Sequence, residues 1–345
     1  MAKLSQKDAL AQFLTRSGGF ALQRKLGLLR PNEFVVLTYH RIAELNSLQP
    51  YPFDVELISA TPSEFDWQMG FLAKNFKPQR LGTLLDMCRD KQKIPAGSVA
   101  VTFDDGFLDN YSAAYPVLCK HKVPATFFVT TDFVEHNQPI WFEAVAFAFL
   151  SVPVGSIRHP LCPNPLPTHD ARTVRLLELT QTMRKLKQVP DDVRTAFIAH
   201  LMPLVDRGAL MAAWNQYGGA MRWEHVAEMS RGNMEIGSHT VTHPILSRTQ
   251  GQIMVKELAE SKRTLEQKVG AAVELLAYPV GGTSHFSTEV IRVAKDVGYR
   301  HGISYIAGVN RSGALDPFCI RRHTVERYTT RERFEAQLCW PGVFT

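Results

Sequence analysis

Apolar residues recur along this chain in two alternating rhythms. Short apolar runs at Phe34 to Thr38, Ser98 to Phe103, Ala125 to Val129, Met234 to Gly237 and Val273 to Tyr278 predict strands. Gly302 to Tyr305 and Phe318 to Arg321 extend the series to seven. Helical spacing fills the gaps. It runs through Phe65, Met69, Leu72 and Phe76, then Tyr111 to His121, then a long segment reaching Val269 before Gly270. A last helix carries Val290, Ile291, Ala294 and Val297 and stops at Gly298. Strands separated by helices predict an α/β protein of parallel βα repeats, closed as a barrel or left open. Between Asp132 and Met221 the rhythm breaks. Six prolines crowd into Pro139 to Pro167, and helical patterns follow at about Ala171 to Lys187 and Asp191 to Leu201. A stretch this long without a strand is read as a largely helical insertion, about 134–221, leaving the end of the third strand.

Composition narrows this picture. With 345 residues, 45% hydrophobic and 21% charged, the chain can bury a sizeable core and is neither disordered nor fibrous. No apolar run is long enough to cross a bilayer, and the amino terminus lacks the order of a secretory signal. The five cysteines, Cys88, Cys119, Cys162, Cys319 and Cys339, form no C-x-x-C pair, which fits a reducing compartment and a cytoplasmic location. Of the net charge of +6, five charges fall in residues 1–30, where Lys3, Lys7, Arg16, Arg24, Lys25 and Arg30 face Asp8 alone. The rest is nearly neutral, which argues against nucleic acid as a partner. Within that basic segment Leu10, Phe13 and Leu14 have helical spacing behind Ser5, a candidate N-cap. Such a helix either packs on its own domain or contacts an anionic membrane or a partner peripherally. Residues 31–330 are assigned to the barrel and 331–345 to a C-terminal tail.

Two segments carry candidate chemistry. Thr102-Phe103-Asp104-Asp105-Gly106 ends a predicted strand with adjacent carboxylates, which resist joint ionisation if buried. Alone it reads as a polar turn, but a turn at Gly106 also lets both acids face one pocket. Gly237-Ser238-His239-Thr240-Val241-Thr242-His243-Pro244 follows another strand and spaces two imidazoles for one metal ion. A lone H-x-x-x-H is a loose pattern. Two such signals at strand carboxyl ends of a βα fold, where active sites gather, point to one site.

Together, Thr102 to Gly106 and Ser238 to His243 resemble the first two motifs of the polysaccharide deacetylases, carbohydrate esterase family 4. The resemblance spans residue 34 to about 325. It implies an irregular (β/α)7 barrel and a divalent-metal hydrolase, usually zinc-dependent, that removes N-acetyl groups from the sugars of a polysaccharide, exopolysaccharide or precursor. By position it makes Asp104 the general base and Asp105, His239 and His243 the metal ligands. The expected partner is an N-acetylated carbohydrate. Another carbon–nitrogen hydrolase on the same barrel and an inactive sugar-binding relative remain as alternatives.

The chain departs from the family pattern at the third motif, R-x-P-Y. Here Ala277-Tyr278-Pro279-Val280-Gly281 has neither the arginine nor the aromatic after proline. Tyr278, Pro279 and Val280 occupy the positions of substrate and oxyanion contacts, and the missing base-orienting arginine leaves Arg321 or Arg322 as substitutes. For the acid that protonates the leaving amine, two histidines compete. His323 lies in the late segment Ile320-Arg321-Arg322-His323, whereas His40, in Leu37-Thr38-Tyr39-His40-Arg41, resembles the Y-H-R segment of a permuted subgroup and is favoured. Trp141 and Phe142 open the insertion and Trp223 closes it, as sugar-stacking or core aromatics.

Overall fold

The structure, a computed structural model, describes residues 5–45, 51–153, 155–162 and 171–345. Residues 1–4 of the basic segment and the prolines at 163, 165 and 167 lie outside them. Six parallel strands carry the apolar runs: β1 (Glu33–Tyr39), β2 (Ser98–Phe103), β3 (Ala125–Val129), β4 (Glu235–Ser238), β5 (Leu275–Ala277) and β6 (His301–Ile303). They hydrogen-bond in that order, with Phe34 opposite Ser98 and Tyr39 opposite Phe103 at the two ends of the β1–β2 ladder. Nearly every strand residue is buried, as befits strands covered on both faces, and this is why the runs read as continuous rather than alternating.

The seventh stave is irregular. Ile320 bridges Ile303 of β6 in parallel, and His323–Thr324 then pairs in parallel with Leu37 and Thr38 of β1. Residues 320–324 therefore span from β6 back to β1 and close an irregular (β/α)7 barrel. The predicted strand at Phe318 to Arg321 is displaced by this arrangement, because a side chain takes the ladder's place at Arg321. Asn310 Nδ2 donates to the Arg321 carbonyl and the Arg321 N–H donates to Asn310 Oδ1, both at 2.9 Å. Asn310 is itself held at the amino end of β1, where Asn310–Arg311 pairs antiparallel to Phe34 and Glu33.

The predicted helices form where their caps dictate. Thr61 and Glu64 make a reciprocal capping box at the start of Pro62–Asn75. Gly270 and Gly298, at φ of 70° and 98°, end Gly251–Val269 and Thr288–Val297 in the left-handed conformation that favours glycine. The segment predicted helical from Tyr111 begins as a π turn, Asn110–Ala114, before the α-helix Tyr115–His121. In the insertion region the helices Trp141–Ser151, Ala171–Leu186, Asp191–Leu201 and Arg207–Gln216 enclose a separate apolar core around Phe147, Phe197 and Trp214.

The helices Gln6–Arg16 and Gly19–Lys25 pack on Arg331–Cys339, a helix within the segment predicted as a C-terminal tail. The Phe20 ring meets Trp340 and Phe344 edge-on, and Arg24 pairs with Glu335.

Because Asn310 satisfies both backbone groups of Arg321, Asn310→Ala leaves two polar groups of the closing stave without partners. The expected loss of unfolding free energy is about 1–3 kcal/mol, read from urea denaturation. A change below about 0.5 kcal/mol would show that the stave does not depend on this bracket.

Candidate active site

The two motif segments meet at the carboxyl end of the barrel. β2 ends at Phe103, the Asp104 N–H donates to the Tyr39 carbonyl of β1, and the backbone then reverses through left-handed Asp105 (φ 76°) and Gly106 (φ 101°). The turn thus begins one residue before the expected glycine. It lets two neighbouring carboxylates share one pocket, which strand alternation forbids. His239 follows β4, and its N–H donates to the Val129 carbonyl of β3. Thr240 and His243 are also left-handed, at 69° and 60°, and Val280 at 62°. Each such non-glycine residue costs of order 1–3 kcal/mol, and strain of this kind concentrates at functional sites.

Asp105, His239 and His243 form a candidate metal centre. Their donor atoms all lie within 4.8 Å of one another and all three residues are buried. Asp105 Oδ1 is 3.5 Å from His239 Nε2 and 3.4 Å from His243 Nε2. Two donors each about 2.1 Å from a tetrahedral ion stand roughly 3.4 Å apart, so the spacing fits a shared cation. Among the described residues neither oxygen of Asp105 has a hydrogen-bond partner, a costly state for a buried carboxylate that a cation would relieve. Burial, then the charge of Asp104, pushes the Asp105 carboxyl up well above its ordinary range. Burial, then His239, pushes His243 well down, so its imidazole is neutral as a ligand must be. His239 Nδ1 lies 2.9 Å from the Ala277 carbonyl, which turns Nε2 toward the centre.

Asp104 has the opposite fate. Burial opposes its charge, but Arg322 outweighs burial and holds the carboxyl well below the usual carboxylate range. Arg322 Nη1 and Nη2 donate to Asp104 Oδ1 and Oδ2, both at 2.7 Å, and Nε donates to the Ser304 carbonyl at 2.9 Å. Of the two candidate substitutes for the motif arginine, Arg322 therefore points into the barrel. Arg321 points out and donates to the Ala307 carbonyl.

The two histidines separate in the same way. His40 lies within electrostatic reach of Asp104, Arg322 and His239, and burial lowers its pKa to about 4. Its N–H donates to Ser59 Oγ at 2.9 Å, and its carbonyl accepts from Asn110 Nδ2 at 2.6 Å. His323 instead faces the outer layer, against the backbone of Gly308 and Phe344, with its pKa lowered to about 4 by burial and Arg333. As a candidate acid it is corrected by position, because β-alternation sends it out where Arg322 goes in.

The third-motif positions are corrected in part. The Tyr278 hydroxyl donates to the Phe318 carbonyl, its ring stacks on Phe286, and its N–H donates to Ile303, so Tyr278 is committed to the core. Pro279 has no N–H. Val280 follows in a left-handed turn after β5. Trp141 and Phe142 flank His243: Trp141 Nε1 donates to the His243 carbonyl at 3.0 Å, and Phe142 meets the His243 ring edge-on at 5.1 Å. Trp223 lies elsewhere, bonded to Glu135 under Lys268.

Supporting residues were less visible in the sequence. Glu257, inside Gly251–Val269, accepts from Val241 N, Thr242 N and Thr242 Oγ1 at 2.8, 2.9 and 2.6 Å and clamps the loop between the two histidines. Asp109 accepts from Arg41 Nε at 2.8 Å and from Ile42 N at 3.0 Å, which anchors the segment that carries His40. The proximity of Asp109 and Asn110 to Asp104 in the chain was the available signal for these two.

Residues 91–302 match the polysaccharide deacetylase family. The chain belongs to that family. A Bacillus subtilis protein named for it, YxkH, is 22% identical over 80% of this chain and 65% of its own length. The poly-beta-1,6-N-acetyl-D-glucosamine N-deacetylase of Staphylococcus aureus is 31% identical over 30% of this chain and 38% of its own length. The chain thus spans less than two thirds of either curated relative. In fold it is similar to the Streptococcus pyogenes deacetylase PplD in complex with acetate, with a TM-score of 0.59 and 18% identity over 90% of this chain and 100% of that one.

His40 and His323 have folded pKa values of about 4 against an ordinary 6.5, so the unfolded chain binds more protons at these two groups between those values, and their contribution to stability rises with pH there. The raised Asp105 and Glu143 carboxyls act in the opposite sense in that window, so the readout is a difference between two proteins. In chelator-treated protein, His323→Leu should remove one group's share of the acid-destabilising slope of the urea midpoint between pH about 6.5 and about 4. The same pH dependence in both proteins would contradict the burial of a neutral His323 imidazole.

Proposed function

We propose that this polysaccharide deacetylase family member is a metal-dependent N-deacetylase of an N-acetylated sugar in a polysaccharide or its precursor. The observation that carries the reading is the unpartnered Asp105 carboxylate between two neutral imidazoles, beside a second carboxylate kept ionised by Arg322. The proposed ion is zinc, which suits two imidazoles and one carboxylate with positions left open. Held by Asp105, His239 and His243, it would supply Lewis acidity toward the acetamide carbonyl and acidify a water. The likeness to the S. aureus poly-beta-1,6-N-acetyl-D-glucosamine N-deacetylase supports a β-linked N-acetylglucosamine polymer as the substrate class.

The chain's own groups then have distinct roles. Asp104, charged and fixed at both oxygens by Arg322, takes a proton from the attacking water. The Val280 N–H, from the third-motif position, is assigned as donor to the oxygen on which negative charge develops. In the resting site His40 is neutral, because burial lowers its pKa to about 4. Negative charge forming on the substrate favours an imidazolium, so His40 takes up a proton from solvent as charge builds and delivers it to the departing amine nitrogen, which leaves the imidazole neutral again. One water is consumed, acetate and a free amine leave, and Asp104 returns its proton to solvent.

Acetate release from N-acetylglucosamine oligomers by the zinc-loaded chain tests the reading, and no release with stoichiometric metal bound would refute it. His239→Ala should lose metal and activity together, measured by elemental analysis and acetate assay. Asp104→Asn should keep the metal while turnover falls by at least about 10²-fold. If that variant empties the site, Asp104 is a ligand rather than the base. His40→Ala should also keep the metal, lose on the order of 10²-fold, and recover partly on amides with activated leaving groups. His323→Ala should cost far less in turnover, and a larger loss there would exchange the two roles.

A further inference from the structure

The first two helices leave several large apolar side chains in water. In Gln6–Arg16, Ala11 and Leu14 turn toward the barrel core, while Leu10 and Phe13, one turn apart, stay outside, Phe13 at 67% exposure. In Gly19–Lys25, Phe20 is buried against Trp340 and Phe344 while Leu22 is 56% exposed, and the C-cap residue Leu26, one turn on, is 60% exposed. The chain continues through Leu28, at 61%, into the rim of a cavity of about 520 Å³. That cavity is lined by Leu28, Arg30, Phe34, Gly97, Trp340 and Val343, which joins the segment after the second helix to the C-terminal residues. Trp340 and Val343 are themselves exposed.

Cations accompany these side chains. The Arg16 and Arg30 side chains are largely exposed, and their acidic neighbours Glu332 and Glu33 stand off at 3.9 and 3.6 Å. Lys25 is exposed at the end of the second helix. The segment holds five of the six excess positive charges of the whole chain. Leucine and phenylalanine beside arginine and lysine, with an indole at the margin, match a headgroup layer over an acyl boundary. Among the described residues no single helix is long and apolar enough to cross a bilayer.

We propose that this end of the barrel docks on an anionic phospholipid bilayer and lies on its surface without spanning it. The cavity sits at the amino ends of β1 and β2, and Asp104 and His40 sit at their carboxyl ends. The seven residues of β1 at about 3.3 Å each put roughly 20 Å between the docked face and the site. The mouth therefore opens away from the lipid, toward polymer in the aqueous phase.

Sedimentation of the full chain with vesicles of phosphatidylcholine alone, or with roughly one quarter phosphatidylglycerol, tests this. Partition into the anionic vesicles should exceed that into the neutral ones by about tenfold or more and should fall with added salt. The double variant Phe13→Ser with Leu26→Ser changes only exposed positions and should keep its melting temperature while losing about tenfold in partition. Lys25→Gln with Arg30→Gln should remove the preference for anionic lipid. Equal partition into both vesicle types, or undiminished binding of the serine variant, would overturn the proposal. So would self-association in light scattering that the serine variant abolishes, since that assigns the patch to a second copy.

Discussion

Everything at the carboxyl end of the barrel is arranged around the ion pair between Arg322 and Asp104. Both groups are buried, and either one alone in that position would carry a desolvation cost of several kcal/mol. Two parallel N–H to oxygen bonds at 2.7 Å satisfy the pair, and Thr102 Oγ1, which donates to the Leu37 carbonyl, stands 3.3 Å from Arg322 Nη1. The pair thus ties the last stave to the first two strands while it sets the ionisation of Asp104. It also divides two adjacent carboxylates. Asp104 has a fixed cation and is charged; Asp105 has none among the described residues, and its buried oxygens are free for a metal ion. The difference comes from neighbours, since the residues themselves are chemically identical.

Legibility in the sequence followed the length and regularity of each signal. β2 and β3 are fully buried parallel strands and β1 nearly so, so their apolar runs stood out, and Asp105, His239 and His243 stood just past the ends of β2 and β4. The closing stave was misplaced because a two-residue pairing preceded by a side-chain bracket has no periodicity to read. For the same reason Arg321 and Arg322 were equal candidates: only the register decides which one faces inward. Trp141–Ser151 escaped as a helix because it is buried nearly all round, which removes the polar face that marks helical spacing. Tyr278 matched a motif position yet serves the core, since its hydroxyl is claimed by Phe318. Glu257 gave no signal, because an acid inside a charged helix reads as solvated surface.

The insertion is joined to the site by charge as well as by packing. Arg41, the residue after His40, is buried and holds Asp109, the Tyr51 hydroxyl and the Tyr217 carbonyl, with Phe107 beneath its guanidinium at 4.7 Å. Glu143, from the helix that brings Trp141 and Phe142 to His243, lies 3.9 Å from Arg41 and accepts from the Asp54 N–H. Burial pushes the Glu143 carboxyl up to about 8, so at neutral pH much of it is uncharged and Arg41 keeps Asp109 as its principal anion. The His40 segment and the insertion therefore share one buried cation.

The order of residues along the chain gives the closing stave a temporal meaning. His40 is translated first, then Asp104 and Asp105, then His239 and His243, and Arg322 after them. A chain exposed only through His243 lacks β5, β6 and the closing stave, so His239 has not met the Ala277 carbonyl and Asp104 has not met its guanidinium. The arrangement of these side chains is thus a property of the closed barrel, and no shorter stretch of the chain can hold it.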